Sequence, residues 1–559
     1  MRKLMLIASV LILLTLAAWF TLSRERAQLG PAIKTGDAVT GSPDVVSLEQ
    51  GWTAATRSWL YSASFGSRLM PYAWITALEQ ASSDKRWLES TNVEALGLLP
   101  QQAAAHNPDA LPVGFTRDVD EQGDAWVGLG CAACHVGELH FSGTRMRIDG
   151  GPAMLNFTAF EQSLLDALDA TVKQPQKFAR FAQALGQSPD VNGQLGTQLK
   201  KIQENLNTRH QMNQTPVPYG FGRLDAFGQI FNAATVTFTD QPGNGQPPDA
   251  PVSFPMLWSA PHLDLVQWNG SAPNTAPGPL IQNVTTAIAV YGSVELDVPA
   301  SGLASARGYR SSVNFDNLGK IQNDLFELTA PAWPEDILGA IDRQAATRGG
   351  ALYDSLCQGC HERIDRADPK RKLRAVLTPV EEIGTDPKAA ANFINATAAT
   401  GRLQGEHQAV VAGERFGESS RAILMVVNLA LGATLRHPAE ALHATLTGYH
   451  GVLKAKLDDR PNFYKARALD GIWASPPYLH NGSVPSLYEL LLPAEQRSKR
   501  FYVGSREYQP KFLGLETDKS FYSSLFDTAL PGNSNSGHEY GAELTEAQRM
   551  DLLEHLKTL

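Results

Sequence analysis

The pattern Cys-x-x-Cys-His occurs twice in this chain, as Cys131-Ala132-Ala133-Cys134-His135 and as Cys357-Gln358-Gly359-Cys360-His361. It is the attachment spacing of c-type haem. The two thiols add across the two vinyl groups of one porphyrin, while the imidazole next door reaches the iron. Two covalently bound haem c groups are therefore expected, one on Cys131, Cys134 and His135, the other on Cys357, Cys360 and His361. Zinc binding, a pair of disulfides or thioredoxin-like redox motifs would also use paired cysteines. None of these needs a histidine directly after the second cysteine. Histidine is 13 of 559 residues, so chance puts one there in roughly 0.02 of cases, and twice over in roughly 0.0005. The chain holds 4 cysteines, and the two motifs use all of them.

Haem is joined to cysteines outside the cytoplasmic membrane, so the motifs require export. Arg2 and Lys3 precede an apolar run from Leu4 to Leu22, which suits a secretory signal or a single membrane anchor. No clean small-x-small site precedes Ser23-Arg24-Glu25-Arg26, so residues 1–29 are read as signal peptide or anchor and the remainder as periplasmic. A net charge of −9 and a pI near 5.8 argue against nucleic acid or an anionic membrane surface as partner. Membrane contact is expected only through the N-terminal segment.

The motifs divide the rest into an N-terminal haem c domain, residues 30–340, and a C-terminal one, residues 341–559. The fold is expected to be mainly α, two cytochrome c-like haem domains with long irregular loops and few short strands. The stretch Ile341 to Leu356 reads as a helix leading into Cys357, with Leu352 and Leu356 one turn apart. Thr545 and Gln548 form a T-x-x-Q capping box ahead of Leu552, Leu553, Leu556 and Leu559. Those two helices should pack across each other. A helical pattern from Phe157 to Leu185 follows the turn Asp149-Gly150-Gly151-Pro152, and residues 240–281, dense in Pro, Gly and Asn, read as long ordered loop.

Five further segments carry a resemblance. Phe254-Pro255-Met256-Leu257-Trp258 with Val266-Gln267-Trp268-Asn269-Gly270 resembles the region of bacterial dihaem cytochrome c peroxidases that places a tryptophan between the haems. Gly471-Ile472-Trp473-Ala474-Ser475-Pro476-Pro477-Tyr478-Leu479-His480-Asn481-Gly482-Ser483 resembles the PYxH(D/N)G motif of that superfamily. Glu382-Ile383-Gly384-Thr385-Asp386-Pro387 and Tyr502-Val503-Gly504-Ser505-Arg506-Glu507-Tyr508 are similar to the dihaem oxygenase branch, which includes the rubber oxygenases and the fatty-acid dioxygenases and diol synthases. The likeness runs over most of residues 100–559.

The resemblance implies a division of labour. The N-terminal haem, on His135, keeps an open sixth position for oxygen. The C-terminal haem is closed by a second histidine opposite His361, for which His480 is the candidate, and serves electron transfer, with a periplasmic electron donor as a further partner. Trp268 is the candidate relay between the porphyrins. Met425, an alternative ligand, lies in an apolar helical run and reads as core; His140, His443 and His450 read as surface or strand residues.

The reaction follows from what is missing. A peroxidase protonates the leaving oxygen of hydrogen peroxide, and the dihaem peroxidases use a carboxylate about twenty residues after the interhaem tryptophan. Here no Asp, Glu or His occurs from Leu265 to Val294; Gln282 and Asn283 stand among Leu280, Ile281, Val284 and Ile288. An apolar pocket with neutral amides suits oxygen and a hydrocarbon chain. The expected activity is a dioxygenase acting on an unsaturated chain, a mono-unsaturated fatty acid such as oleate or polyisoprene. A cytochrome c peroxidase, a hydroperoxide isomerase (diol synthase) and a plain electron carrier are the alternatives.

Overall fold

The computed structural model describes residues 45–275, 278–297, 302–366, 368, 371–449 and 462–559. The apolar run Leu4 to Leu22 and His450 lie outside them. Among the described residues no single helix is long and apolar enough to cross a membrane.

Immediately after His135 the chain enters β1, Val136–Phe141, which turns through Ser142-Gly143 into antiparallel β2, Thr144–Asp149. Both turn residues have positive φ, 49° and 82°, the geometry that matches the twist of a two-residue hairpin. His140 is on β1, within 2.9 Å of Glu138. The helical stretch expected over 157–185 is two helices, α1 at Phe157–Lys173 and a second at Pro175–Ala184. The break is at Gln174: the residue before a proline is pushed out of the helical region, here to φ −104° and ψ 107°, and Pro175 has no N–H to continue the ladder.

Residues 240–281 are largely irregular, as expected, but short strands cross them. Val252–Ser253 pairs with Arg223–Leu224, and Leu265–Val266 with Ala272–Pro273. From Gly278 the chain is helical, α2 at Gly278–Ala289. The expectation of few strands needs correction. Helix accounts for 40% and strand for 16%, and among the described residues the strands form nine small sheets, seven two-stranded and two three-stranded. Strands of two to six residues are too short to write a period-two pattern into the sequence.

The remaining elements that build the sites are α3, Phe315–Glu327; α4, Arg343–Leu356; β3, Val376–Pro379; α5, Ala422–Arg436; α6, Pro438–Gly448; β4, Phe463–Ala466; and α7, Glu546–Leu556. The capping box is present: the Thr545 hydroxyl accepts from Gln548 N–H, and Gln548 Oε1 accepts from Thr545 N–H. α4 and α7 cross as expected. Their backbones meet at Gly349, where a Cβ would stand 2.0 Å from the Asp551 carbonyl oxygen, so only glycine fits. Arg348 pairs with Asp551 at 2.6 Å across the same crossing.

One apolar cluster joins α2, α3, α5 and α6; it contains Met425, fully buried, which is core. Another takes Leu139, Met146 and Ile148 from one side of residue 340 and Trp473, Tyr508 and Leu552 from the other. Backbone bonds also cross, His140 N–H donating to the Arg506 carbonyl at 2.7 Å.

Candidate haem sites

The two motif histidines are held in the same way. His135 Nδ1 lies 2.8 Å from the Pro255 carbonyl oxygen and His361 Nδ1 lies 2.6 Å from that of Arg467. A carbonyl only accepts, so each Nδ1 carries the proton and donates it. Each Nε2 is thereby left with a free lone pair, the tautomer a metal-binding imidazole needs. Burial pulls His135 down to about 4 and lowers His361 as well, so both rings stay neutral at physiological pH.

The surroundings fit haem c. Cys131, Cys134, His135, Cys357, Cys360 and His361 all keep part of their surface accessible. Yet burial pushes the thiols of Cys131, Cys134 and Cys357 up to about 11, 12 and 11. Cys360 and His361 line a cleft, and Cys131, Cys134 and Cys357 pack against apolar clusters. The four thiols form no disulfide, and among the described residues no three His, Cys, Asp or Glu side chains converge as a metal-holding group.

The C-terminal cleft is lined by Cys360, His361, Trp268, Lys465, Arg467, His480 and His538. His538 faces His361, with ring centroids 6.2 Å apart, room for one metal ion between two ring nitrogens. The sequence had put His480 opposite His361. His480 does line this cleft, but its ring stacks on Tyr464, centroids 4.0 Å apart and planes 25° from parallel. The His538 loop is built by its neighbours. Arg497, 2% exposed, donates to the carbonyls of Asn535 at 2.6 Å, Gly537 at 2.8 Å and His538 at 3.3 Å. Gly537, at φ 70°, sits so close that a Cβ would lie 2.3 Å from the carbonyl carbon of Gly384. Glu382-Ile383-Gly384-Thr385-Asp386-Pro387 thus supports this histidine.

Unmet polar groups face the same cleft. His538 Nδ1, Ser253 Oγ and Thr385 Oγ1 are buried without a hydrogen-bond partner, which in a native structure calls for a further group. Lys465, 7% exposed, has its ammonium pushed well below the usual lysine value by burial and by Arg467. The acid acting on it, Asp264, is already paired with Arg374 at 3.0 Å. A lysine and an arginine buried in one cleft suit the propionates of a haem, whose charge would favour the protonated forms. Trp268 donates its indole N–H to the Ser253 carbonyl at 3.0 Å, and the Arg467 guanidinium lies 5.0 Å over its ring.

At the N-terminal site, Cys131, Ile281 and Tyr449 pack against the apolar cluster that includes Leu280, Val284, Ala287 and Ile288. Asn283 on α2 donates to Gln322 Oε1 at 3.1 Å and to the Tyr449 hydroxyl at 3.0 Å. Burial raises the Tyr449 phenol, and the Cys131 sulfur acts on it electrostatically. Gln282 is half-buried beside Asn283. Sequence reasoning missed Tyr449, Gln322 and His538. Tyr449 follows α6 more than 300 residues after Cys131, with no local pattern to mark it; for His538 the Gly-His pair in a Ser/Asn-rich turn was the available sign.

A protein of Sinorhizobium fredii, y4iJ, is 32% identical over 576 residues, covering 92% of this chain and 93% of that protein. The chain belongs to the y4iJ family. A second protein of the same organism, y4iM, is 26% identical over 340 residues, 56% of this chain and 66% of that protein. Within this y4iJ-family chain, residues 463–502 match the RoxA-like, cytochrome c-like family. The match supports the dihaem cytochrome c oxygenase superfamily and a haem-dependent oxidoreductase, and it implies haem c. The matched segment runs from β4 through Lys465, Arg467, Tyr478 and His480.

Proposed function

We propose that this protein is a periplasmic dihaem c-type dioxygenase that adds both atoms of O2 to an unsaturated hydrocarbon chain, a mono-unsaturated fatty acid such as oleate or polyisoprene. The observation that carries the reading is the wall beside Cys131. It is apolar, and its polar groups on α2, α3 and after α6 are neutral: Asn283, Gln322 and the Tyr449 phenol. A peroxidase needs an acid to protonate a leaving oxygen, and the segment 265–294 supplies none. Covalent haem on Cys131 and Cys134, and on Cys357 and Cys360, supplies the oxygen-activating and electron-transfer chemistry when bound.

The chain's own residues then do the following. His135 and His361 would hold the irons through Nε2, each ring oriented by a carbonyl. Leu280, Val284 and Ile288 keep water from the site on Cys131. Asn283 holds Tyr449 OH in place while the phenol keeps its proton. In the C-terminal cleft His538 is assigned as the partner of His361, in place of His480, because it is the ring that faces His361. Both oxygen atoms enter the product, as a hydroperoxide or as two carbonyls after cleavage of the double bond, so no external reductant is consumed. Isomerisation of a hydroperoxide to a diol uses the same scaffold.

The test is oxygen uptake by the dihaem protein on adding oleate under air, with catalase present and product masses read afterwards. Uptake with a gain of two oxygen atoms per substrate molecule supports the reading. Turnover of hydrogen peroxide with a reduced cytochrome, and none with oleate or polyisoprene, replaces it with the peroxidase.

A further inference from the structure

Arg467 touches the anchors of both motif histidines. Its backbone carbonyl accepts from His361 Nδ1 at 2.6 Å, and its guanidinium Nη1 donates to the Met256 carbonyl at 3.0 Å. Met256 follows Pro255, whose carbonyl accepts from His135 Nδ1 at 2.8 Å. The two imidazoles are therefore joined by three hydrogen bonds and the covalent bonds of Arg467, Met256 and Pro255, with no through-space gap. Burial lowers Arg467 only to about 10, so it is still a cation at neutral pH. Trp268 is not a link in this chain: its N–H goes to the Ser253 carbonyl, and its ring meets the guanidinium at 5.0 Å.

We propose that Arg467 is the positioning residue that couples the two haem sites. Electronic coupling falls less steeply along covalent and hydrogen bonds than across empty space, and this path starts and ends on nitrogens of the iron-binding rings. One electron passes along it; one iron is oxidised by one unit and the other reduced by one, no bond is made or broken, and no proton moves. The guanidinium also ties the Met256 backbone to the Arg467 backbone, so a shift of one histidine is felt by the other. Trp268 then serves as the floor on which the guanidinium rests.

The inference rests on the dihaem reading, and the test separates the two. Haem per chain is first counted in the full-length holoprotein and its variants by pyridine haemochrome; a wild-type count other than two ends the dihaem reading, and the coupling with it. Interhaem electron equilibration is then timed after photoreduction of the half-reduced protein. Arg467→Met keeps the backbone carbonyl on His361 and removes the guanidinium link; it is expected to slow equilibration about tenfold with both haem spectra unchanged. Arg467→Lys, which can still donate to the Met256 carbonyl, should recover most of the rate. Should Arg467→Met fail to hold both haems, Arg467→Leu carries the same expectation. An unchanged rate in a spectrally intact Arg467→Met or Arg467→Leu protein overturns the proposal.

Discussion

His538 faces His361 across the C-terminal cleft, ring centroids 6.2 Å apart, on a loop whose carbonyls are gathered by the buried Arg497. Burial pulls His538 down to about 3, so the ring is neutral and its lone pair is available to a metal. His480 is more deeply buried and also neutral, but it lies flat on Tyr464. Chemistry alone does not separate the two histidines; position does.

His538→Ala is therefore expected to convert one of the two haems from low-spin to high-spin, read by electron paramagnetic resonance and the visible spectrum. His480→Ala should leave the low-spin signal in place. The reverse pattern would return the ligand role to His480.

Tyr449→Phe deletes the acceptor of one Asn283 N–H near Cys131. A buried donor left unpaired costs about 1–3 kcal/mol, so the melting temperature should fall by a few degrees. Haem content should stay the same, while oxygen uptake with the olefin drops. Unaltered uptake would place Tyr449 outside the reaction.

The α4–α7 crossing gives a prediction whose sign opposes helix propensity. Alanine is normally better than glycine inside a helix by about 1 kcal/mol. Gly349→Ala should nevertheless destabilise by about 3 kcal/mol, because its Cβ would press on a backbone oxygen 2.0 Å away that has nowhere to move. Gly350→Ala, whose Cβ would meet the His555 ring at 3.3 Å, should stay within about 1 kcal/mol of wild type. Denaturant melts of the two variants decide it.

Asp225 caps the helix Ala226–Asn232 and accepts from Gly228 N–H at 2.8 Å and Ala250 N–H at 2.9 Å. Burial pushes its carboxyl up from 3.8 to about 6. A carboxyl raised in the folded state is stabilising while protonated, below about 4, and that stability is lost as pH rises through about 6. The shift corresponds to about 3 kcal/mol at 1.36 kcal/mol per unit. The stability difference between wild type and Asp225→Asn should therefore move in favour of the variant between pH 4 and 7, measured by thermal melts. A pH-independent difference would mean that Asp225 stays ionised throughout.

Local chemistry was legible in the sequence. Cys131-x-x-Cys134-His135 and its second copy are set by covalent reach along a few residues. The helix into Cys357 and the Thr545–Gln548 cap follow from local periodicity and hydrogen bonding, and the absence of an acid in 265–294 is a fact of composition. The break at Pro175 is equally local, because a proline and the residue before it are both restricted by their own covalent geometry.

What only the tertiary structure decided is which distant groups meet. The strands are too short to carry a period, so the sheets appear only once the partners pair. His538 rather than His480 faces His361 because Gly384, Gly537 and Arg497 fold a loop from the far end of the chain onto the cleft. Tyr449 reaches Asn283, and Arg467 bridges to Met256, through contacts of sequence separation 166 and 211. The physical reason is the same throughout. Bonds between neighbours are written in the order of residues, whereas the burial that brings remote side chains together is a property of the whole packed chain.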